Sequence, residues 1–299
     1  MADTPQPINP QSIEEVEKGT SLGRDAWLRL KKNKLAMLSL WTFVAIVLIC
    51  ILVPLFGIRE PNQTNLTLRS RPPGGEFWFG SENLGRDIFS RVLHGGRISL
   101  AVGFLATFVS MTIGMIYGAV SGYLGGRTDA IMMRIVDILY ALPFMIIVII
   151  LTTLFGQKLW LLFIAIGAVE WLTMARIVRA QIMSLKKQEF VEAAVSLGLS
   201  NRRIIFRHLV PNVLGPVIVY TTLTVPAVMR LEAVLSFLGL GVQPPQSSWG
   251  LLIKEGADRM QSDPWLLLFP ALFFSVTLFC LNFLGDGLRD ALDVKTSKD

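Results

Sequence analysis

Residues 187–212, KQEFVEAAVSLGLSNRRIIFRHLVPN, lie between two long apolar runs and yet are polar, charged and patterned for folding. Phe190, Val191, Ala194 and Leu197 recur at helical spacing and form a narrow apolar stripe. Gly198 supplies the permissive backbone that ends a helix, and Ser200 is placed to accept a bond from the amide three residues on and so cap a second one. Pro211 should stop that second helix. The stretch therefore predicts two short helices meeting at a glycine corner, a compact elbow standing at a membrane surface.

Composition supplies the membrane. The chain has 299 residues, 52% of them hydrophobic and only 17% charged, with a mean hydropathy of +0.54. That is too apolar for a water-soluble domain of ordinary composition. The net charge of +6 would suit nucleic acid, but the basic residues collect beside apolar spans, which membrane orientation explains. Cys50 and Cys280 both fall inside apolar runs, where they act as small hydrophobes; no disulfide or metal site follows from them. No small-residue cleavage site follows the first apolar run, which is therefore read as an anchor rather than a removed signal peptide.

Outward from the elbow, the apolar runs predict an all-α, polytopic membrane protein with six spans. Residues 1–34 form a tail, loose over 1–20 and then a basic collar from Arg24 to Lys34 with Trp27 at the interface. The first span, Leu35 to Phe56, is long enough to cross a hydrocarbon core of about 20 helical residues. Residues 58–97 form the longest polar connection, in which Leu84, Ile88 and Val92 share one helical face and predict a short interfacial helix. A core over 98–290 follows, its elbow region taken as 182–212. Its second span, Ile98 to Gly122, carries Ala106, Ser110, Gly114, Gly118 and Gly122 at every fourth position, a stripe that lets another helix come close. The third, Ile135 to Phe155, should kink at Pro143. The fourth runs from Leu159 to Ala175, the fifth from Val213 to Leu240 with interruptions at Pro216 and Pro226, and the sixth from Trp265 to Leu284. Residues 242–263 are too polar to cross, and Trp249 suggests an interfacial or re-entrant loop. Residues 291–299 form a second tail.

Six spans put both termini on one side, and the positive residues say which side it is. The elbow side holds 18 Lys and Arg against 9 opposite, Arg230 lying within the fifth span. The positive-inside preference puts both termini and the elbow in the cytoplasm.

Glu192, Ala193, Ala194, Gly198, His208, Pro211 and Asn212 fit the pattern E-A-A-x-x-x-G followed by R-H-x-x-P-N, which resembles the coupling loop of ABC-importer permease subunits. Two more segments carry the same likeness. FWFGSENLGRDIFSRVLHGGRISL from Phe77 resembles the segment F-G-T-D-x-x-G-R-D-x-x-S-R of one permease subunit of the oligopeptide, dipeptide and nickel importers, with Ser81 and Glu82 where that pattern has Thr and Asp. GDGLRDALD from Gly285 resembles the family's closing segment, with Val294 in place of its proline. The resemblance runs from about Phe77 to Asp293 and is closest to the second oligopeptide permease. It implies a type I importer fold and a heterodimer with a paralogous permease. It also implies two cytoplasmic ATPase subunits that use ATP and Mg, an extracytoplasmic binding protein, and a peptide cargo. In that setting the first elbow helix sits in a cleft of the ATPase, small Ala193, Ala194 and Gly198 allow its close approach, and Glu192 offers a charged bond at the rim.

The chain itself carries no G-x-x-x-x-G-K-[ST], no H-E-x-x-H and no nucleophile elbow, and His94 and His208 stand apart, so it is read as a transport subunit that binds no cofactor and no metal. Glu170, Arg230 and Glu232 fall within or near apolar spans, where a charge costs about 2.5–3.5 kcal/mol at mid-bilayer, so each should face a wet path or a buried partner. Glu232 either lines the translocation path or pairs with a basic residue of a partner subunit; Glu170 is read as structural or path-lining. Dipeptide, nickel-chelate or murein-peptide import remain open within the family, and an ion-driven transporter outside it, although no internal repeat supports the latter.

Overall fold

A computed structural model describes residues 22–292; the loose segment expected over 1–20 and the last residues, Val294 among them, lie outside the described residues. The helices are α1 (Leu22–Lys32), α2 (Lys34–Leu52), α3 (Ile88–Leu124), α4 (Gly126–Ala141), α5 (Phe144–Phe155), α6 (Leu159–Leu185), α7 (Glu189–Ser196), α8 (Asn201–Arg203), α9 (Val210–Phe237), α10 (Trp249–Ala257) and α11 (Trp265–Leu292). The described residues form no strand; Ser81 and Asp87 make an isolated bridge.

Five helices are long and apolar enough to cross a membrane, and α4 with α5 makes a sixth crossing if that bent pair is one span. The bend between them is 79°. It is a joint rather than a kink: Pro143 forces Leu142 into extended backbone, and α5 starts afresh behind it. The basic collar is also more than a tail. Ala26 and Leu30 of α1 pack with Ala36 and Ala291, pinning α1 against α2 and the end of α11.

The small-residue stripe of α3 lies against α6. A methyl added at Gly114 would sit 2.6 Å from the Met174 side chain, one at Gly122 would sit 2.8 Å from the Arg179 carbonyl oxygen, and one at Gly118 would strike the Ala175 carbonyl. Ala106 and Ser110 are fully buried on the same face. Backbones this close gain dispersion contacts that larger side chains would prevent.

Three expectations need correction. No separate interfacial helix precedes the second span: α3 begins at Ile88, capped by the Asp87 carboxylate at 3.0 Å from the Ser90 amide, and runs unbroken to Leu124, leaving Leu84 outside it. Asp87 ends the loop sooner than the apolar periodicity suggests. Trp249 is not an interfacial aromatic. It is fully buried, with its indole N–H donating to the Val92 carbonyl at 2.9 Å, above Gly96, where any side chain would meet its ring. Pro216 and Pro226 do not interrupt the fifth span either; α9 passes through both.

One end of the bundle is closed by a charge knot. Arg91, 0% exposed, donates to Glu82 at 2.5 Å and to Glu255 of α10 at 2.7 Å, while Glu82 also holds Arg86. Residues 82–91 and α10 are thereby joined although 164 positions separate Arg91 from Glu255.

Candidate functional site

The elbow grows out of α6. Lys186 follows that helix and donates to the Tyr123 carbonyl at 2.6 Å, and the Tyr123 hydroxyl reaches Asn201 at 3.3 Å, so the end of α3 grips both sides of α7. Val191 and Ala194 face inward, onto a cluster with Tyr123, Val178, Ile182, Ile204, Ile205 and Leu209. Below, the bidentate pair of Arg179 with Asp129, at 2.5 Å for each bond, fixes α6 to α4.

The other face of α7 is open. Glu192 and Ala193 are exposed, as are Phe190, Val195 and Leu197, the last 79% so. The Glu192 carboxylate makes no hydrogen bond or ion pair with any described residue. The stripe expected from spacing is therefore split, since Phe190 and Leu197 point out while Val191 and Ala194 point in. Ala194 corrects a second expectation, being small to fit its own bundle rather than to admit a partner. Gly198 turns the chain at φ +72°, and a side chain there would meet nothing within 4 Å, so backbone freedom and not crowding requires glycine.

The second half of the elbow departs furthest from the sequence reading. Ser200 occupies the cap position but makes no side-chain cap bond. No helix ends at Pro211. Instead α8, a π-helical stretch at Ile204–Leu209 and α9 form one helix from Asn201 to Phe237, with Pro211 directly behind the π stretch, where the hydrogen-bond ladder has already left the i−4 register. Val210 N–H reaches back to the Ile205 carbonyl, the wider π register, and the Asn212 side chain donates to the His208 carbonyl at 2.6 Å. His208 is half-buried; Pro211 and Asn212 are exposed.

The three ionisable groups expected along a path separate in space. Glu232 is 0% exposed and accepts from Ser236 at 2.7 Å and Ser99 at 3.2 Å, with Ser236 in turn beside Ser248. Its carboxylate is enclosed within this chain, where it ties α9 to α3 and to the turn into α10. Hydroxyls from α3 and α9 satisfy it, with Ser248 behind Ser236, a signal that no local pattern carries. Arg230, two residues away, is exposed on the opposite side of α9, and Glu170 is half-buried on α6; neither has a hydrogen bond or ion pair among the described residues.

Comparison with known proteins agrees with this geometry. Residues 110–298 match the family described as binding-protein-dependent transport system inner membrane component, and residues 21–73 match the N-terminal transmembrane domain of oligopeptide transport permease C. The likeness thus reaches further toward the N-terminus than Phe77. The oligopeptide transport system permease protein OppC of Haemophilus influenzae is 50% identical over 97% of both chains, and that of Escherichia coli K12 is 53% identical over 94% of this chain and 93% of its own. The dipeptide transport system permease protein DppC of Bacillus subtilis is 46% identical over 92% of this chain and 86% of its own. Among solved structures, a chain of the inward-facing MetNI methionine ABC transporter superposes with a TM-score of 0.56 over 68% of this chain and 97% of that one; at 18% identity it speaks for the fold alone. An elbow closed on its own bundle and open on its far face, set in a fold of this kind and matched along nearly its whole length, places the chain in the family of binding-protein-dependent inner-membrane permeases.

Proposed function

We propose that this chain is the second permease subunit of an ATP-binding-cassette importer for oligopeptides, and that α7 is the element seated in the ATPase cleft. The observation that supports it most is the open face of α7: an exposed glutamate and exposed apolar side chains on a helix whose other face is locked into the bundle. A helix of that kind can transmit a push only to the bundle, and it can receive one only from outside the chain. The near-full-length likeness to oligopeptide permeases supports the cargo. The 46% identity to a dipeptide permease supports dipeptides as a second reading.

On this reading both termini and the elbow lie in the cytoplasm and the charge knot lies outside. A paralogous permease completes the path, two ATPases use ATP and Mg²⁺, and an extracytoplasmic binding protein delivers the peptide. Closure of the ATPases draws the elbows together, and the helix leaving Gly198 carries that movement through the membrane. Arg230 and Glu170, exposed or half-exposed and unpaired among the described residues, face the second permease or the path between them. Uptake of labelled peptide into vesicles holding the reconstituted complex should require both ATP and the binding protein. Uptake driven by an ion gradient alone would overturn the assignment, and a preference for dipeptides over longer peptides would select the second reading.

A further inference from the structure

Beside the elbow, a concavity of about 480 Å³ is lined by Ser200, Arg202, Arg203, Phe206, Arg207 and Pro211. The three arginines are exposed, and their guanidinium groups make no ion pair or hydrogen bond with any described residue. Nearby Arg176 and Arg179 each hold an aspartate, at 2.9 Å and 2.5 Å. Three unpaired guanidinia around one hollow repel one another and favour an anion between them, and their planar forks match phosphate oxygens. The polarity of this helix face then changes along its length. Leu214 and Ile218, three and seven residues beyond Pro211, continue the face as exposed aliphatic side chains running into the apolar span. Charge at one end and an aliphatic strip leading away from it match a diacyl phospholipid. An acidic protein surface would answer the charge and leave the strip bare.

The geometry points to an anionic-phospholipid site, with the headgroup phosphate among Arg202, Arg203 and Arg207 and an acyl chain along Leu214 and Ile218. The site rests on the first turns of α9 lying at the membrane surface, and it is independent of the cargo and of how α7 docks. Filling it would neutralise the charge beside the elbow and brace the helix at its π stretch.

The test uses the assembled complex in nanodiscs of phosphatidylcholine alone or mixed equally with phosphatidylglycerol. Native mass spectrometry from the mixture should find phosphatidylglycerol retained over phosphatidylcholine by about a hundredfold, given that each of the three basic residues contributes roughly fivefold near an anionic headgroup. The R202Q/R203Q/R207Q variant should retain both equally, and the corresponding triple lysine variant should keep a preference for the anionic lipid. Amide exchange over residues 200–211 in the wild-type complex should slow when phosphatidylglycerol is present, a readout that needs no variant. Equal retention of the two lipids by wild type, or exchange that does not change, overturns the site. Millimolar inorganic phosphate giving the same protection in phosphatidylcholine alone assigns the hollow to a soluble anion and overturns the lipid. Loss of the ATPase subunits from the glutamine variant with phosphatidylglycerol retention intact overturns it in favour of a protein contact. Peptide uptake measured on the same wild-type preparation separates the two readings: uptake that persists while phosphatidylglycerol is not preferred overturns the lipid site and leaves the importer reading standing.

Discussion

At one end of the long helix that contains α9, polar groups are satisfied within the chain. Glu232 is held by serines, Trp249 by Ser99 and the Val92 carbonyl, and Arg91 by two glutamates drawn from distant segments. At the other end Glu192, Arg202, Arg203 and Arg207 have no partner among the described residues, and Phe190, Val195 and Leu197 stand exposed. The buried polar side chains named at one end are thus held within the chain, although Arg230 and the apolar Phe237 stand exposed there, whereas the charges of α7 and of the helix's first turns are left open at the other. Unpaired charge and bare apolar surface side by side are expensive for a free chain, and they mark the end that works in an assembly. Substitutions at the closed end should therefore change stability, and those at the open end should change work done with stability kept.

The largest effect is expected from Arg91→Ala. It leaves Glu82 buried and Glu255 partly buried without their shared cation, and breaking such a pair costs about 3–5 kcal/mol. The variant should fail to accumulate in membranes or should melt far below wild type, as fluorescence-detected chromatography after heating would show. A wild-type melting profile would mean that the knot holds nothing. Next comes Gly114→Val, which drives a branched side chain into Met174; overpacking of this kind costs about 1–3 kcal/mol, and the same thermal assay should rank it below Arg91→Ala.

Gly198→Val tests the border between the two ends. Valine at φ +72° costs about 1–2 kcal/mol by steric strain, so the complex should still assemble. Peptide uptake should nevertheless fall away, because the corner that aims α7 is changed. Normal import by this variant would remove the elbow from energy transfer. Glu192→Ala should have the smallest effect on folding, within about 0.5 kcal/mol for an exposed site. It should lower peptide imported per ATP hydrolysed, measured by running both assays on one preparation; an unchanged ratio would show that the carboxylate is idle.

Much of this arrangement is legible from residue types alone. The crossings follow from the apolar runs, the inward face of α3 from small residues four apart, and the glycine corner from Gly198. What sequence reading missed has a common cause. Pro211 looks like a stop because proline disrupts helix interiors, yet the helix continues through it behind a π stretch whose register already departs from the i−4 ladder. Glu232 looks like a lining charge because Ser99, which satisfies it, lies 133 residues away. Ala194 and its neighbour Ala193 are chemically alike, and only the packing of α7 on Ile204 and Leu209 decides which one is hidden. Each miss turned on long-range contact or on where a residue falls within a turn.

The continuity of the helix from Asn201 to Phe237 has a mechanical corollary. Its 37 residues make a rod of about 55 Å. With its far end anchored at Glu232 and its near end grasped at the elbow, it is a lever with a fixed fulcrum. A small sideways displacement at the grip becomes a tilt of the whole rod, and the six-residue π segment at its base, with Pro216 and Pro226 further along, marks where torque could be lost on the way.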